Sequence, residues 1–301
     1  MSYPQMDILL MGDASNCHRT LATGLRRLGQ RVTVVSDGTR WMNTERDIDV
    51  SRRYPGKLGG LELWLRLNAS ILPKLKNFDV VSLSSPNVLP LRPGRNSAVF
   101  DRLRDNNRSI FLTAMQTDTV YVRECLDPAS PIRYSDYRVY GKPSPHALLN
   151  PDEERLWTTG PLRDICEKVY SQIDGAVSIL YEYDMAMRRV LPPEKLAYGG
   201  IPIDLSSLQP VDEPFDGKVN IFLGRHRDRM PLKGTDLFEK AARRVVDRHP
   251  DRCRLTIVEN LPYAEYIREL RQAHLVLDQT YSYTPSTNAL LAMAYGITVM
   301  S

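Results

Sequence analysis

The sequence lacks the features that mark several large classes of protein. It has only four cysteines, without a CxxC pair or a histidine grouping at zinc spacing: Cys17, Cys125, Cys166 and Cys253. No run of apolar residues approaches the roughly 18–20 that a membrane-spanning helix needs. Lysine and arginine total 40 against 36 acidic residues, and they form no basic tract. We therefore expect reduced cysteines, a cytoplasmic protein, no structural metal and no nucleic-acid partner.

Signals for targeting and for cofactor binding are missing as well. The N-terminus has no basic leader ahead of its short apolar run, so residues 6–11 are predicted as a strand and not as a signal peptide. The turn after that strand, GDASNCH, is not a GxGxxG fingerprint, and no DxD pair stands in a predicted cleft-facing loop. The sequence therefore predicts neither a cofactor nor a metal. A net charge of +4 leaves peripheral membrane contact open, although no basic amphipathic helix stands out.

What the sequence does contain is a regular alternation of apolar strands and amphipathic helices. A strand at about 6–11, a helix at about 16–28 and a strand at about 31–35 form a predicted βαβ unit. Three further strands are predicted in FDVVSLSS, RSIFLTA and IDGAVSIL, followed by a helix at about 182–190. Between the last two of these strands, residues 115–150 show little periodicity, which is typical of either a functional segment or a packed surface excursion.

The alternation restarts after a linker at residues 199–217, and the predicted domains are residues 1–209 and 210–301. Four strands are predicted in the second domain, at about 219–223, 253–258, 274–278 and 297–301. The fold class is therefore α/β, with two doubly wound, Rossmann-like domains that face each other across a cleft. Because such sheets commonly have five or six strands, we expect an incomplete second domain and a longer natural protein.

Cationic residues and helix starts follow the strands of the second domain. Arg225 comes directly after the strand VNIFLG, and Lys233 precedes a predicted helix whose N-cap is Thr235. Ligands of open α/β sheets bind at the carboxyl ends of strands, where two cations would suit a diphosphate. Another helix is predicted to begin with Thr284 as its N-cap. Its first turn, whose free N–H groups favour an anion, would hold Ser286, Thr287 and Asn288.

Three segments, in order LAYGGIPID, GRHRDRMPLKG and PSTNALLAMAYGITV, resemble the glycosyltransferases of the GT-B fold, of the family 4 type. The resemblance implies that Arg225 and Lys233 hold the diphosphate of a nucleotide-sugar donor. It also implies that residues 286–288 face the phosphates, and that transfer is retaining and independent of a metal.

Two positions depart from the family pattern. The family has a glutamate before the last helix, which touches the donor sugar, and a second one eight positions later, which binds the ribose. Here these positions hold Tyr283 and Leu291, and neither side chain can accept a ribose hydroxyl as a carboxylate does. The resemblance therefore indicates a divergent subgroup, in which Asn288 and Asp278 supply polar contacts to the donor.

The first domain is expected to supply the other edge of the cleft. The resemblance implies that the turn after the first strand approaches the donor phosphates or the acceptor, through the substrate-binding candidates Gly12, Asp13 and Ser15. Asp13, Ser15 and Asn16 also fit as helix caps, and His18 fits on a helix surface. After the fourth strand, where family members often have a catalytic His or Asp, the candidate is Asp118.

The predicted function is that of a glycosyltransferase. It would move a sugar from a nucleotide-diphosphate donor to a hydroxyl of a glycan, a lipid-linked glycan or a small molecule, with acceptor contacts from the first domain and residues 115–150. Two alternatives stay open: a nucleotide-sugar epimerase on the same scaffold, and a non-catalytic protein that binds sugar or nucleotide. The missing glutamates favour the second alternative.

Overall fold

The computed structural model describes residues 4–38, 43–206, 208–211 and 215–301. The chain divides into two compact units, a first unit of Met1–Glu124 with Asp152–Pro202 and a second unit of Cys125–Pro151 with Ile203–Ser301. This division differs from the predicted 1–209 and 210–301, because the chain enters the second unit earlier and an internal segment joins it. Residues 207 and 212–214 of the predicted linker lie outside the described residues.

The strands of the described residues are, in chain order, β1 (Asp7–Met11), β2 (Arg31–Ser36), β3 (Ile48–Asp49), β4 (Val80–Leu83), β5 (Ser109–Ala114), β6 (Arg138–Val139), β7 (Lys142–Pro143), β8 (Gly175–Ser178), β9 (Leu196–Tyr198), β10 (Val219–Arg225), β11 (Cys253–Glu259), β12 (Leu275–Leu277) and β13 (Thr298–Met300). The α-helices are α1 (Cys17–Arg27), α2 (Gly56–Arg66), α3 (Pro93–Asn106), α4 (Thr119–Leu126), α5 (Pro145–Leu149), α6 (Glu153–Thr158), α7 (Gly160–Gln172), α8 (Tyr181–Met187), α9 (Met230–Lys233), α10 (Thr235–Arg248), α11 (Tyr263–Leu270) and α12 (Thr287–Ala294).

The first unit is built on a parallel sheet with the strand order β3-β2-β1-β4-β5-β8-β9. Leu9, Leu10 and Met11 of the central strand β1 are at most 1% exposed, as expected for a parallel strand covered on both faces. The five strands and two helices predicted in this part are confirmed. The edge strands β3 and β9 escaped prediction, because two or three residues are too few to show a period.

The second unit contains a smaller parallel sheet with the order β11-β10-β12-β13, and its four predicted strands are confirmed. Side chains along β10 alternate between two apolar clusters. Ile221 and Leu223 pack with Ala242 of α10, whereas Phe222 packs with residues of α11 and α12. The sheet is therefore covered by helices on both faces, as the doubly wound prediction requires.

The segment 125–151 is packed and belongs to the second unit. It forms the antiparallel hairpin β6–β7 and the short helix α5, which contacts α9. Tyr134 stacks on Tyr283, with ring centroids 4.2 Å apart and planes 9° from parallel. The backbone N–H of Arg133 donates to the Tyr283 hydroxyl at 2.9 Å. This part of the predicted excursion therefore lies against the loop that precedes α12.

Both N-cap residues predicted in the second unit are wrong by one or two positions. Gly234, in a left-handed conformation, is the N-cap of α10, and Thr235 is its first residue. Ser286, and not Thr284, is the N-cap of α12. The start of α12 is set by a carboxylate eight positions earlier in the chain, since Asp278 accepts hydrogen bonds from Ser286 and so fixes where the helix begins.

Phe222 and Phe215 offer a matched test of the core of the second unit. Phe222 is fully buried in the cluster under α11 and α12, so Phe222→Ala should lower the free energy of unfolding by about 3–5 kcal/mol. Phe215 is 65% exposed, so Phe215→Ala should cost less than about 1 kcal/mol. Urea denaturation followed by circular dichroism measures both, and equal losses would contradict the assigned packing.

Candidate functional site

Two loops meet at the carboxyl edge of the second sheet. The Thr280 N–H, after β12, donates to the Lys233 carbonyl at the end of α9 at 2.8 Å. Gly234 has a φ of 66°, and a Cβ there would lie 1.9 Å from the Thr280 hydroxyl oxygen. Only glycine combines this backbone conformation with so close an approach. The structure thereby brings the predicted cation Lys233 beside the loop of residues 278–288.

The ammonium of Lys233 is part-buried and lacks a close counter-ion. Among the described residues, none forms a hydrogen bond or an ion pair with it. Burial lowers the pKa of Lys233 below its ordinary 10.5, while the negative charge of Asp278 opposes the shift and the positive charge of Arg229 adds to it. A cation in this state gains more than a solvated one when an anion arrives.

Asp278 fixes the start of α12. Its carboxylate, on a residue only 6% exposed, accepts hydrogen bonds from the N–H and the hydroxyl of Ser286, at 2.7 and 2.5 Å. The first N–H groups of α12 have no intrahelical acceptor and lie at the positive end of the helix dipole. Thr287 is half-buried and Asn288 exposed, and neither side chain has a hydrogen-bond partner among the described residues. This helix start can therefore receive an anion.

The guanidinium of Arg225 is engaged by two carboxylates of its own unit. It pairs with Glu239 of α10, and its Nε lies 2.9 Å from Glu259 at the end of β11. Glu239 also binds Arg243, and Glu259 also binds Arg227. Arg225 is thus part of an ion-pair network that joins β10, β11 and α10.

Arg229 is a candidate that the sequence analysis missed. It is exposed, it lies close enough to influence the pKa of Lys233, and no described residue pairs with it. The available signal was the repeated basic residues of GRHRDRMPLKG, although their spacing does not tell which of them finds a carboxylate nearby.

The two positions that depart from the family pattern have packing roles. The ring and hydroxyl of Tyr283 contact Tyr134 and Arg133. Leu291 packs against the apolar cluster around Phe222.

The turn between β1 and α1 in the first unit is tightly constrained. Gly12 has a φ of 77°, and a Cβ there would lie 2.1 Å from the Ser84 hydroxyl. Ser15 is exposed with a positive φ, and it does not cap the helix. The N-cap of α1 is Asn16, in a left-handed conformation and without a side-chain capping bond, and the first turn is bound instead by Asp13, whose Oδ1 accepts from the His18 N–H at 3.0 Å.

Asp13 and His18 carry two buried polar atoms without partners. His18 is fully buried, so its predicted place on a helix surface is wrong. Its Nδ1 lies 2.6 Å from the Gly12 carbonyl, while His18 Nε2 and Asp13 Oδ2 find no hydrogen-bond partner in the described part of the chain. Burial raises the pKa of Asp13 to about 6, against the backbone N–H of His18, and burial lowers the pKa of His18 to about 4.

Asp118 lies inside the first unit and is 2% exposed. Its carboxylate accepts from the Tyr121 N–H at 2.9 Å and from the Tyr170 hydroxyl at 2.7 Å, and burial raises its pKa. These bonds start α4 and tie it to α7, and a catalytic role of Asp118 stays a prediction.

No protein-family model and no curated protein sequence matches this chain. Solved structures do match it. The catalytic domain of starch synthase IV from Arabidopsis thaliana, bound to ADP and acarbose, is 10% identical with a TM-score of 0.57, over 99% of this chain and 82% of that chain. Sucrose-phosphate synthase from Thermosynechococcus elongatus is 14% identical with a TM-score of 0.54, over 98% and 80%. A UDP-GlcNAc 2-epimerase from Methanocaldococcus jannaschii is 8% identical with a TM-score of 0.52, over 98% and 83%.

The chain shares the GT-B fold. The α/β class and the Rossmann-like sheets predicted from sequence are confirmed by these structures and by the observed strand orders. In the described part of the chain, no helix is both long and apolar enough to cross a membrane. Within the same residues, no group of three His, Cys, Asp or Glu side chains is arranged to hold a metal ion.

The turn after β1 should give two opposing effects of pH on stability. Because the pKa of Asp13 rises from 3.8 to about 6 on folding, its contribution to stability is lost as the pH rises through this range. Because the pKa of His18 falls from 6.5 to about 4, its contribution is lost as the pH falls. As the pH rises from 4 to 7, the free energy of unfolding of Asp13→Asn should increase by roughly 2–3 kcal/mol relative to wild type. Over the same rise, that of His18→Gln should decrease by a similar amount relative to wild type. Urea denaturation across this range measures both, and curves parallel to wild type would contradict the assignment.

Proposed function

We propose that this protein is a glycosyltransferase that moves a sugar from a nucleotide-diphosphate donor to an acceptor hydroxyl. We place it in a divergent subgroup of the family 4 type, with a retaining and metal-independent reaction. The observation that carries the proposal is the part-buried Lys233 ammonium beside the α12 helix start that Asp278 fixes. Both stand at the carboxyl edge of a doubly wound sheet, where ligands of such sheets bind.

A diphosphate fits this edge by charge. It would supply the counter-charge that Lys233 lacks and would accept hydrogen bonds from the first N–H groups of α12. In the transfer, the bond from the anomeric carbon to the diphosphate oxygen breaks and a bond to the acceptor oxygen forms, while the acceptor hydroxyl gives its proton to the departing diphosphate. Negative charge develops on the leaving diphosphate, and a fixed cation and helix dipole stabilise it most at that point.

The residues take separate roles in this proposal. Lys233 and Arg229 face the diphosphate, Asn288 contacts the donor, and Asp278 positions Lys233 and Ser286. Arg225, whose guanidinium two carboxylates already bind, positions the loop that carries both cations. Gly12, Asp13 and Ser15 stay candidates for substrate contact on the first unit.

Donor binding can be tested by thermal shift with UDP-, GDP- and ADP-sugars. At about 100 times its dissociation constant, the true donor should stabilise the wild-type chain by about 2.7 kcal/mol. Lys233→Met should remove the shift, because it removes the only charge of that side chain. Lys240→Met is the matched control, since Lys240 is an exposed lysine paired with Asp236 on α10. A shift that survives in Lys233→Met would contradict the proposed site.

The variant Arg225→Gln tests whether Arg225 positions the loop after β10 or contacts the diphosphate directly. Without a ligand it should lower the free energy of unfolding by about 1–3 kcal/mol, because Glu239 and Glu259 lose their shared partner. It should keep most of the donor-dependent shift. Complete loss of that shift in a folded Arg225→Gln would show that Arg225 contacts the diphosphate itself.

Two alternative functions have one observation each in their favour. An epimerase is supported by the fold shared with a UDP-GlcNAc 2-epimerase. A non-catalytic binder is supported by the packing roles of Tyr283 and Leu291. Product analysis distinguishes the three. Release of a nucleoside diphosphate that depends on an acceptor supports transfer, an altered nucleotide sugar supports epimerisation, and binding without any product supports the binder.

A further inference from the structure

One edge of the second sheet is a long strand that is paired on one side only. All seven residues of β11 pair with β10, and no other strand in the described part of the chain pairs with β11. The remaining edges of the two parallel sheets are short, since β3 has two residues and β9 and β13 have three each. Short edge strands limit pairing with other chains, whereas a long one presents a row of free N–H and C=O groups. The outer side of β11 can therefore accept a further strand.

The devices that usually protect an edge strand are missing from β11. Its sequence, CRLTIVE, contains no proline, and its register with β10 runs through all seven residues without a bulge. Its two charged side chains stand near its ends and are engaged within the second unit. Arg254 pairs with Asp216 at 2.7 Å, and Glu259 pairs with Arg225 at 2.9 Å. The middle of the strand, residues 255–258, carries no charge that would oppose pairing.

An apolar groove of about 300 Å³ runs between β11 and α10. Val246 of α10 and Leu255 and Ile257 of β11 line it, and all three side chains are only half-buried. Arg243 and Asp247 stand at its rim and are exposed. The shared lining shows that this part of α10 lies level with the middle of β11. An element added to the edge of β11 would bury the three apolar side chains further.

The two charges at the rim complement each other across a two-fold axis. Arg243 and Asp247 lie one helical turn apart on α10. Arg243 uses its Nε and Nη2 to bind Glu239, and no described residue accepts from its Nη1. Within the described residues, the Asp247 carboxylate has no partner either. A two-fold axis reverses the direction of the helix, so each Arg243 would face the Asp247 of the other copy. A foreign strand would satisfy the backbone of β11 but not this pair of opposite charges.

We infer that two copies of this chain associate through antiparallel pairing of their β11 strands, which joins two four-stranded sheets into one. Leu255 and Ile257 both face α10. With Thr256 on the axis, Leu255 of one copy lies opposite Ile257 of the other, and residues opposite each other in an antiparallel pair share a face. The two grooves then close together, and the two α10 helices lie antiparallel with an Arg243–Asp247 ion pair at each end of the contact. The inference is independent of glycosyl transfer, since association needs neither donor nor acceptor.

Light scattering of the full chain over a dilution series tests the association. The wild type should be dimeric at high concentration and dissociate on dilution. Asp247→Arg should weaken the dimer by at least roughly tenfold, because two arginines then face each other at both ends of the contact. Arg243→Asp should weaken it similarly by bringing two aspartates together. Asp105→Arg is the matched control, because Asp105 is an exposed carboxylate on α3 that no described residue binds, and it should dimerise like wild type.

Mixing the two variants guards against a folding artefact. In an equimolar mixture, every arginine of Asp247→Arg can face an aspartate of Arg243→Asp, so dimers of one copy of each should form again. Hydrogen exchange tests the backbone pairing: the amides of residues 254–258 that do not bond to β10 should exchange at least roughly tenfold more slowly in the dimer than after dilution. Four results would each overturn the inference: a wild type that stays monomeric, single variants that dimerise like wild type, a mixture that does not recover, or a dimer without protection in β11.

Discussion

The carboxylate of Asp278 is the interaction on which the loop edge of the second unit depends. It stands at the end of a buried strand, where a lone charge is costly. Two hydrogen bonds from Ser286 offset this cost and at the same time define the first turn of α12. Its negative charge also acts on the Lys233 ammonium. One side chain therefore fixes the helix start and also favours the charged form of the nearby cation, and these are the two elements of the proposed donor site.

The cations at the end of β10 and in the loop after it differ in whether a carboxylate lies close to them. Arg225 and Arg227 form ion pairs with Glu259, and Arg225 also pairs with Glu239, so these two guanidinium groups stabilise the fold. Arg229 and Lys233 meet no carboxylate at close range among the described residues. Paired cations stabilise the edge of the sheet, whereas the two without partners keep an attraction for an incoming anion. Which of these cations are paired follows from the positions of Glu239 on α10 and Glu259 on β11.

The turn after β1 and the start of α1 bury two ionisable side chains. Asp13 and His18 are both buried, and each has an atom without a hydrogen-bond partner in the described residues. Burial favours the neutral form of both groups, which moves their pKa values in opposite directions. Such polar groups lower the stability of a fold unless they are satisfied, and their presence at a strand end is typical of sites that bind a substrate.

The sequence by itself determined most strands of the two parallel sheets, the helices α1, α8, α10 and α12, and the α/β class, because apolar periodicity is a local property that burial on a sheet or helix imposes. It also indicated Lys233, Asp278 and the start of α12 as parts of one site. Only the tertiary structure decided which residue begins α12, since the Asp278 carboxylate comes from eight positions away. Tertiary contacts also placed residues 125–151 in the second unit, through the pairing of Arg133 with Tyr283, 150 residues apart in sequence. Partners that are distant in the chain leave no local pattern in the sequence, so neither contact could be read from it.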